Sequence, residues 1–345
     1  MNPAFQEIIT ANDAERRDLF LGAAARMGTA VQNVEKDFWA CWTLDALFNG
    51  LAAGGPRLLF KGGTSLSKAF GLISRFSEDI DITVFRDDLG QPADVAELDA
   101  LSGKKRRALL EAIRNACQAY ITGPLMDQFT RLAASAIPEA RFRAEPDPDD
   151  KDGQSLLFWY PSVTAATGDY IRSAVKIESG AKSALDPHVA AAVTPYVAQD
   201  LPNLDLTVTN VTTVKPERTF WDKVIILHCD SGMIDATSSA MAGSAFRAIT
   251  TTCTSLCRQL RRTSGRPITC SLSTAFSTQG CFSGAPIWDW KRRSPALLRF
   301  HPAQPCAMLS RETTKQWQQW YSARRHPSTR YWPTSSSSKR SSICQ

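Results

Sequence analysis

The amino-acid sequence changes character at His228, and this change limits what the chain can fold into. Residues 1–228 carry 24 Lys and Arg against 30 Asp and Glu, a net charge of −6, whereas residues 229–345 carry 16 against 4, a net charge of +12. The apolar residues of the second part show no sustained period of 2 or 3.6. Such a segment cannot recover its ordering entropy by burial, so we expect a folded domain over residues 1–228 and an unstructured or poorly folded tail.

A shift of the reading frame at or just after His228 is our interpretation of the tail. Read one base out of step, the codons around residues 249–253 permit His-Tyr-Tyr-Asp-Leu, and those of residues 239–243 permit Gln-Arg-His-Gly-Trp. The alternative is a genuine basic, Ser-rich extension. The nucleotide sequence around codons 225–235 distinguishes the two.

Composition excludes several classes of protein. The excess of positive charge lies wholly in the tail, so the acidic first part gives no general electrostatic reason to bind nucleic acid. No apolar run reaches the roughly 18 residues of a membrane span, and the N-terminus lacks the pattern of a signal peptide. The tail cysteines lack the paired spacing of a zinc site, and Cys41 and Cys117 lie in apolar helical contexts. We therefore expect a cytoplasmic protein.

Helices and strands alternate irregularly along residues 1–228. Residues 33–51 read as a helix with Asn33 as its N-cap and with Glu35 and Asp37 in its first turn. A second amphipathic helix is predicted at 104–120. Strands are predicted at 58–60, 80–85, 156–160, 170–178 and 204–214. This mixture indicates an α/β or α+β domain.

The segment 61–82, KGGTSLSKAFGLISRFSEDIDI, carries the strongest chemical signal. A Gly-Gly turn between a strand and a helix start leaves backbone N–H groups free for phosphate, and Ser65 adds a hydroxyl. On a strand, Asp79 and Asp81 point to the same side while Ile80 points to the core. Two close carboxylates repel each other unless a cation lies between them, and hard oxygen ligands suit Mg²⁺ held together with substrate phosphates. The alternatives are a structural turn and a solvated acidic edge.

A second constellation lies on the predicted strand around residue 176. Alternation places Arg172, Lys176 and Glu178 on one face and apolar residues on the other. If this strand neighbours the Asp79–Asp81 strand, Lys176 can neutralise a triphosphate and Glu178 can help to hold the metal. The alternative is a solvated lysine.

The chain contains four blocks in this order: GGTSL, SEDIDI, VKIE and ERTFWDKVIILH. Together they resemble the AbiEii/AbiGii-type nucleotidyltransferase toxins of bacterial type IV toxin–antitoxin and abortive-infection systems. These toxins are relatives of the DNA polymerase β-like nucleotidyltransferases. The resemblance covers about residues 30–228. It implies a minimal nucleotidyltransferase fold, a mixed sheet flanked by helices, and a helical C-terminal region. It also implies Mg²⁺, a nucleoside triphosphate, an RNA acceptor such as a tRNA 3′ end, and a cognate antitoxin encoded nearby.

The resemblance assigns roles residue by residue. The residues matched to nucleotide binding are Lys61, Gly62, Gly63, Ser65, Ser77 and Lys176. The residues matched to metal binding and catalysis are Asp79 and Asp81, with Lys176 as a further catalytic residue. Glu217 and Lys223 match the start of a fourth motif, whose later Asp this sequence lacks in its present frame. Two other functions therefore stay open: an inactive nucleotide-binding pseudoenzyme, and nucleic-acid binding through the basic tail.

Overall fold

The computed structural model describes residues 1–73, 76, 79–138, 141–165, 172–220 and 222–223. Its α-helices are α1 (Ala4–Thr10), α2 (Asp13–Met27), α3 (Val31–Asp45), α4 (Gly62–Lys68), α5 (Val95–Ala100), α6 (Gly103–Tyr120) and α7 (Met126–Ala136). Residues 216–220 and 222–223 are also helical. The predictions for Ser77 and for the tail after residue 228 lie outside the described residues. In the part of the chain that is described, no helix is long and apolar enough to cross a membrane.

Seven strands form one mixed sheet with the spatial order β3-β4-β5-β2-β1-β7-β6. The strands are β1 (Leu58–Lys61), β2 (Ile80–Val84), β3 (Arg143–Pro146), β4 (Ser155–Trp159), β5 (Ala174–Glu178), β6 (His188–Val193) and β7 (Val208–Val214). The central strand β2 pairs antiparallel with β1 and parallel with β5, and β1 pairs parallel with β7. The predicted class, a mixed sheet flanked by helices, is confirmed.

The core lies between this sheet and the helices that cover it. Ile80, Ile82 and Val84 of β2 are fully buried, as the alternation predicts. Helix α3 contributes Trp42, whose ring stacks on Phe158 of β4 with the centroids 5.3 Å apart. This contact fixes α3 against the sheet by burying large aromatic surfaces.

Helix α3 departs from its prediction at both ends. It begins at Val31, after the N-cap Ala30, and it ends at Asp45, where a π-helical turn over Ala46–Gly50 follows. Asn33 is not the N-cap; it lies inside the helix and its Nδ2 donates to Thr29 Oγ1. The sequence interpretation of a first turn holding two dipole-stabilised acids was therefore wrong.

The two acids of α3 that were assigned to its first turn are buried. Glu35 is 1% exposed and accepts hydrogen bonds from Ser162 Oγ and Val163 N, each at 2.7 Å. Asp37 is 4% exposed and is also fully partnered, as described below. Buried carboxylates are tolerated where donors replace the lost water, and these two connect α3 to distant loops.

Candidate functional site

Three neighbouring strands bring charged residues together at one end of the sheet. Lys61 at the end of β1 lies opposite Asp81 on β2, and Asp81 lies opposite Glu178 at the end of β5. Lys176 lies two residues before Glu178 on β5, and its Nζ is 2.8 Å from Glu178 Oε1. We call Lys61, Asp81, Lys176 and Glu178 the edge cluster. The sequence stated the adjacency of the Lys176 and Asp81 strands only as a condition, and the pairing of β2 with β5 meets that condition.

Gly62 and Asp81 lie in direct contact at the centre of the edge cluster. Gly62 has φ = 81°, a left-handed conformation that favours glycine. A Cβ at this position would lie 2.6 Å from Asp81 Cγ, closer than any van der Waals contact allows. The predicted tight turn before the helix is absent, because α4 begins at Gly62 itself. The glycine thus lets the chain pass from β1 into α4 across the face of a carboxylate.

The negative charges of the edge cluster are closely spaced. Burial raises the pKa of Asp81 to about 6, Lys61 opposes this rise, and the Glu178 and Asp79 carboxylates add to it. A hydrogen bond also joins the Asp81 and Glu178 carboxyl groups. Because like charges at this spacing disfavour ionisation, the site holds anionic groups that a cation would stabilise.

Asp79 lies directly before β2, beside the start of α4. Its backbone carbonyl accepts a hydrogen bond from Thr64 Oγ1, which ties the strand entrance to the helix. Ser65 is fully buried and its Oγ donates to the Gly62 carbonyl at 2.9 Å. The hydroxyl that the sequence assigns to phosphate is thus used within α4, and its contact with a nucleotide stays a prediction.

Two carboxylates hold Lys176. In addition to Glu178, Asp147 Oδ2 lies 3.2 Å from Lys176 Nζ. The hydrogen bond with Glu178 and the contact with Asp147 raise the pKa of Lys176, so the ammonium stays charged. Val175 and Ile177 on the opposite face are fully buried, as alternation predicts. Sequence reasoning missed Asp147, which lies in the acidic segment PDPDDKDG between β3 and β4.

Another acid that sequence reasoning missed follows β7. Asp222 Oδ1 accepts a hydrogen bond from Nε of buried Arg218 at 2.9 Å, and burial raises the pKa of Asp222. Lys61 is close enough to oppose that rise, so this helical segment borders the edge cluster. The resemblance had instead assigned Glu217 and Lys223 to this segment, and Lys223 also opposes the rise in the pKa of Asp222.

A separate ionic group lies at the other end of α4. Lys68 Nζ, the last residue of the helix, is 2.7 Å from Asp37 Oδ1, and both side chains are more than nine-tenths buried. The same ammonium lies 3.9 Å from the centroid of the Tyr196 ring, and Tyr196 N donates to Asp37 Oδ2 at 2.7 Å. We call Asp37 and Lys68 the core pair.

The carboxylates of the edge cluster fit a hard cation that is shared with a substrate. Among the described residues, no group of three or more His, Cys, Asp or Glu side chains is arranged to enclose a metal ion. Mg²⁺ needs no such enclosure, because it binds through one or two carboxylates and completes its shell with water and substrate phosphates. Asp79 and Asp81 would supply those carboxylates, with Glu178 beside them.

Comparisons with known proteins found one family and one solved structure to which this chain is similar. Residues 45–239 match the family model described as "Nucleotidyl transferase AbiEii toxin, Type IV TA system". A solved structure, the nucleotidyltransferase toxin MenT4 (Rv2826c) of Mycobacterium tuberculosis H37Rv, is similar over 92% of this chain and 100% of its own, with 14% sequence identity and a TM-score of 0.36. No match was found among curated proteins.

Proposed function

The chain belongs to the AbiEii family of nucleotidyltransferase toxins, and we propose that it transfers a nucleotide from a nucleoside triphosphate to an acceptor hydroxyl with the help of Mg²⁺. The observation that supports this most is the edge cluster itself. It combines mutually repelling carboxylates with two lysines at the ends of three adjacent strands. Carboxylates that can bind a metal ion and lysines that can meet phosphate are what a metal–triphosphate complex requires.

Residues of the edge cluster and their neighbours have the following roles in this proposal. Asp79 and Asp81 hold Mg²⁺, which neutralises charge on the phosphates when it is bound. Lys176 neutralises the triphosphate, and Lys61, whose Nζ donates to Ser183 Oγ at 2.8 Å, lies beside Asp81 on the neighbouring strand. The backbone at Gly62 and Gly63 approaches the phosphates closely.

The transfer itself is a displacement at phosphorus. The acceptor hydroxyl attacks the α-phosphorus, the bond from the α-phosphorus to the bridging oxygen breaks, and pyrophosphate leaves with that oxygen. Fixed charges that surround the phosphates stabilise the transition state without reorganisation. We propose an RNA acceptor such as a tRNA 3′ end, a cytoplasmic site of action, and a cognate antitoxin encoded nearby in an abortive-infection system.

We also propose that the tail after His228 is read in a shifted frame. The last described strand, β7, ends at Val214, so the whole edge cluster is encoded ahead of the frame change. The helical continuation of the fourth motif is not. The full chain would therefore retain nucleotide binding and lose part of its transfer activity, which a chain with the restored frame would recover.

The test is label transfer from each of four α-labelled nucleoside triphosphates into RNA, for the full chain and for the chain with the frame restored. Asp81→Asn should abolish transfer, and Lys176→Met should lower it steeply to a rate that is still measurable. Lys151→Met and Asp87→Asn, at exposed positions, are the matched controls and should leave it unchanged. No transfer by the restored chain would refute the proposed activity, and equal transfer by both chains would refute the need for the frame change.

A further inference from the structure

The two carboxylate partners of Lys176 differ in their freedom to move. Glu178 is 43% exposed and also faces Asp81, whereas the Asp147 side chain is only 4% exposed. An exposed glutamate can rotate towards a cation or into solvent. A buried aspartate cannot do so without breaking its surroundings.

Asp147 is fixed by the loop that carries it. This loop joins β3 to β4, and Asp147 N donates to Ser155 O at 2.9 Å across its base. Asp147 Oδ1 accepts from Asp149 N at 3.0 Å, which leaves Oδ2 for Lys176. Further along, Asp150 accepts from Asp152 N and Gln154 N, so the loop is closed by its own aspartates. Such side-chain-to-backbone bonds hold a tight loop in one conformation.

We infer that Asp147 is the positioning residue that holds Lys176 in place for the triphosphate. An ammonium group has three donors: Asp147 and Glu178 take two, and the third is available to a phosphate oxygen. When Glu178 turns towards the metal side of the edge cluster, Asp147 still fixes the lysine on its four-carbon stem. This inference rests on the proposed function, because Lys176 is the residue that Asp147 acts through.

The competing explanation is that Asp147 only neutralises a half-buried lysine. Four variants of the full chain separate the two explanations: Asp147→Asn, Asp147→Glu, Lys176→Met, and Asp147→Asn combined with Lys176→Met. Asp147→Glu keeps the negative charge and displaces the carboxylate by one methylene. Asp149→Asn is the matched control, since this neighbour on the same loop has a 74% exposed side chain. The readouts are the melting temperature alone, its shift with Mg²⁺ plus each nucleoside triphosphate, and label transfer into RNA.

If Asp147 positions Lys176, both single Asp147 variants lose about 10- to 100-fold in transfer, more in kcat than in KM, as is found for groups that orient a functional side chain. Asp147→Glu does so while its melting temperature stays near that of the wild type. In the Lys176→Met background, Asp147→Asn causes no further loss of transfer. There it raises the melting temperature, because it removes a buried carboxylate that has lost its partner.

Two results would overturn the inference. In the first, Asp147→Glu and Asp147→Asn keep transfer and the nucleotide-induced shift within about twofold of the wild type, a difference too small for lost positioning. Asp147 would then have only a structural role. A further loss of transfer in the double variant would show that Asp147 acts independently of Lys176. Failure of the proposed function looks different: wild type and Asp149→Asn would then show neither a nucleotide-induced shift nor transfer.

Discussion

Helix α4 contacts two ionic groups of opposite character, one at each end. Its last residue belongs to the core pair, in which one ammonium meets one carboxylate and a backbone N–H satisfies the second carboxylate oxygen. Its first residue, Gly62, touches the edge cluster, in which burial raises the pKa of Asp81 and the Glu178 and nearby Asp79 carboxylates add to that rise. The core pair is complete within the protein. The edge cluster keeps carboxylates close together, and in the proposed function it binds a ligand that brings a cation and phosphates.

The difference between the core pair and the edge cluster shows how burial limits the charges that a protein can hold. A buried ion pair is tolerated only if every remaining donor and acceptor is satisfied, and the core pair meets that condition with help from the Tyr196 ring and backbone. At the half-buried edge cluster, unfavourable charge is retained where it can act on a ligand. The two groups should therefore respond to substitution with opposite signs.

Breaking the core pair should give the largest effect. Lys68→Met leaves Asp37 buried without its ammonium, and we expect a loss of about 3 to 5 kcal/mol in the free energy of unfolding. Chemical denaturation measures this loss, with Lys105→Met at an exposed position as the control. Combining Lys68→Met with Asp37→Leu should recover most of the stability. A double variant as unstable as Lys68→Met would show that the pair is not an isolated unit.

Gly62→Ala should be the next largest change. Alanine at φ = 81° is strained, and its Cβ displaces the Asp81 carboxylate, so we expect a loss of about 2 kcal/mol. Gly103→Ala is the matched control, because a Cβ there meets nothing within 4 Å. Equal stability of the two variants in thermal melts would contradict the contact between Gly62 and Asp81.

Asp81→Asn should act in the opposite direction. Removing one of the crowded carboxylates should raise the free energy of unfolding in EDTA at neutral pH by about 1 to 3 kcal/mol. The same variant should lose the stabilisation that Mg²⁺ and nucleoside triphosphates give to the wild type. Thermal melts with and without these ligands measure both effects. A clear destabilisation in EDTA with ligand stabilisation retained would rule out Asp81 as a metal ligand.

The pH dependence of stability should give the smallest effect, and it tests the same carboxylate, Asp81. The pKa of Asp81 is raised from 3.8 to about 6 in the folded chain, so between these values the native state binds more protons than the unfolded state. Its contribution to stability is thus fully present below about pH 4 and is lost as the pH rises through about 6. The difference between Asp81→Asn and wild type should be near zero at the acid end and grow through this window. A difference independent of pH would contradict the raised pKa.

Local patterns were sufficient for part of the site. Period-2 alternation predicted that Ile80, Ile82, Val175 and Ile177 are buried, and all four are. The adjacency of the Asp81 and Lys176 strands was stated only as a condition, because parallel pairing is decided by tertiary packing and leaves no local signature. The structure shows that the two strands are neighbours, because Asp81 on β2 pairs with Glu178 on β5.

Buried charges were the part that the sequence could not predict. Asp37 and Glu35 have the spacing of first-turn acids, and Asp147 lies in a run of aspartates typical of a solvated loop. Each is buried because a distant segment supplies its partner. Strand β6 was missed for a related reason: its HVAAAV sequence has neither β-branched alternation nor a strong apolar run.

The pairing of β1 with β7 has a consequence for the time at which the protein becomes complete. Phe60 and Thr213 are neighbours in the sheet although they lie 153 positions apart in the chain. At typical synthesis rates of 5–20 residues per second, about 8 to 30 s separate the emergence of these two residues from the ribosome. Before β5 appears, no nascent chain can assemble the edge cluster, and before β7 appears, β1 lacks one of its two neighbours in the sheet. A protein of this fold therefore acquires the charged groups of the edge cluster in two steps: Lys61 and Asp81 are made first, and Lys176 and Glu178 follow only after about half of the 345 residues have been made.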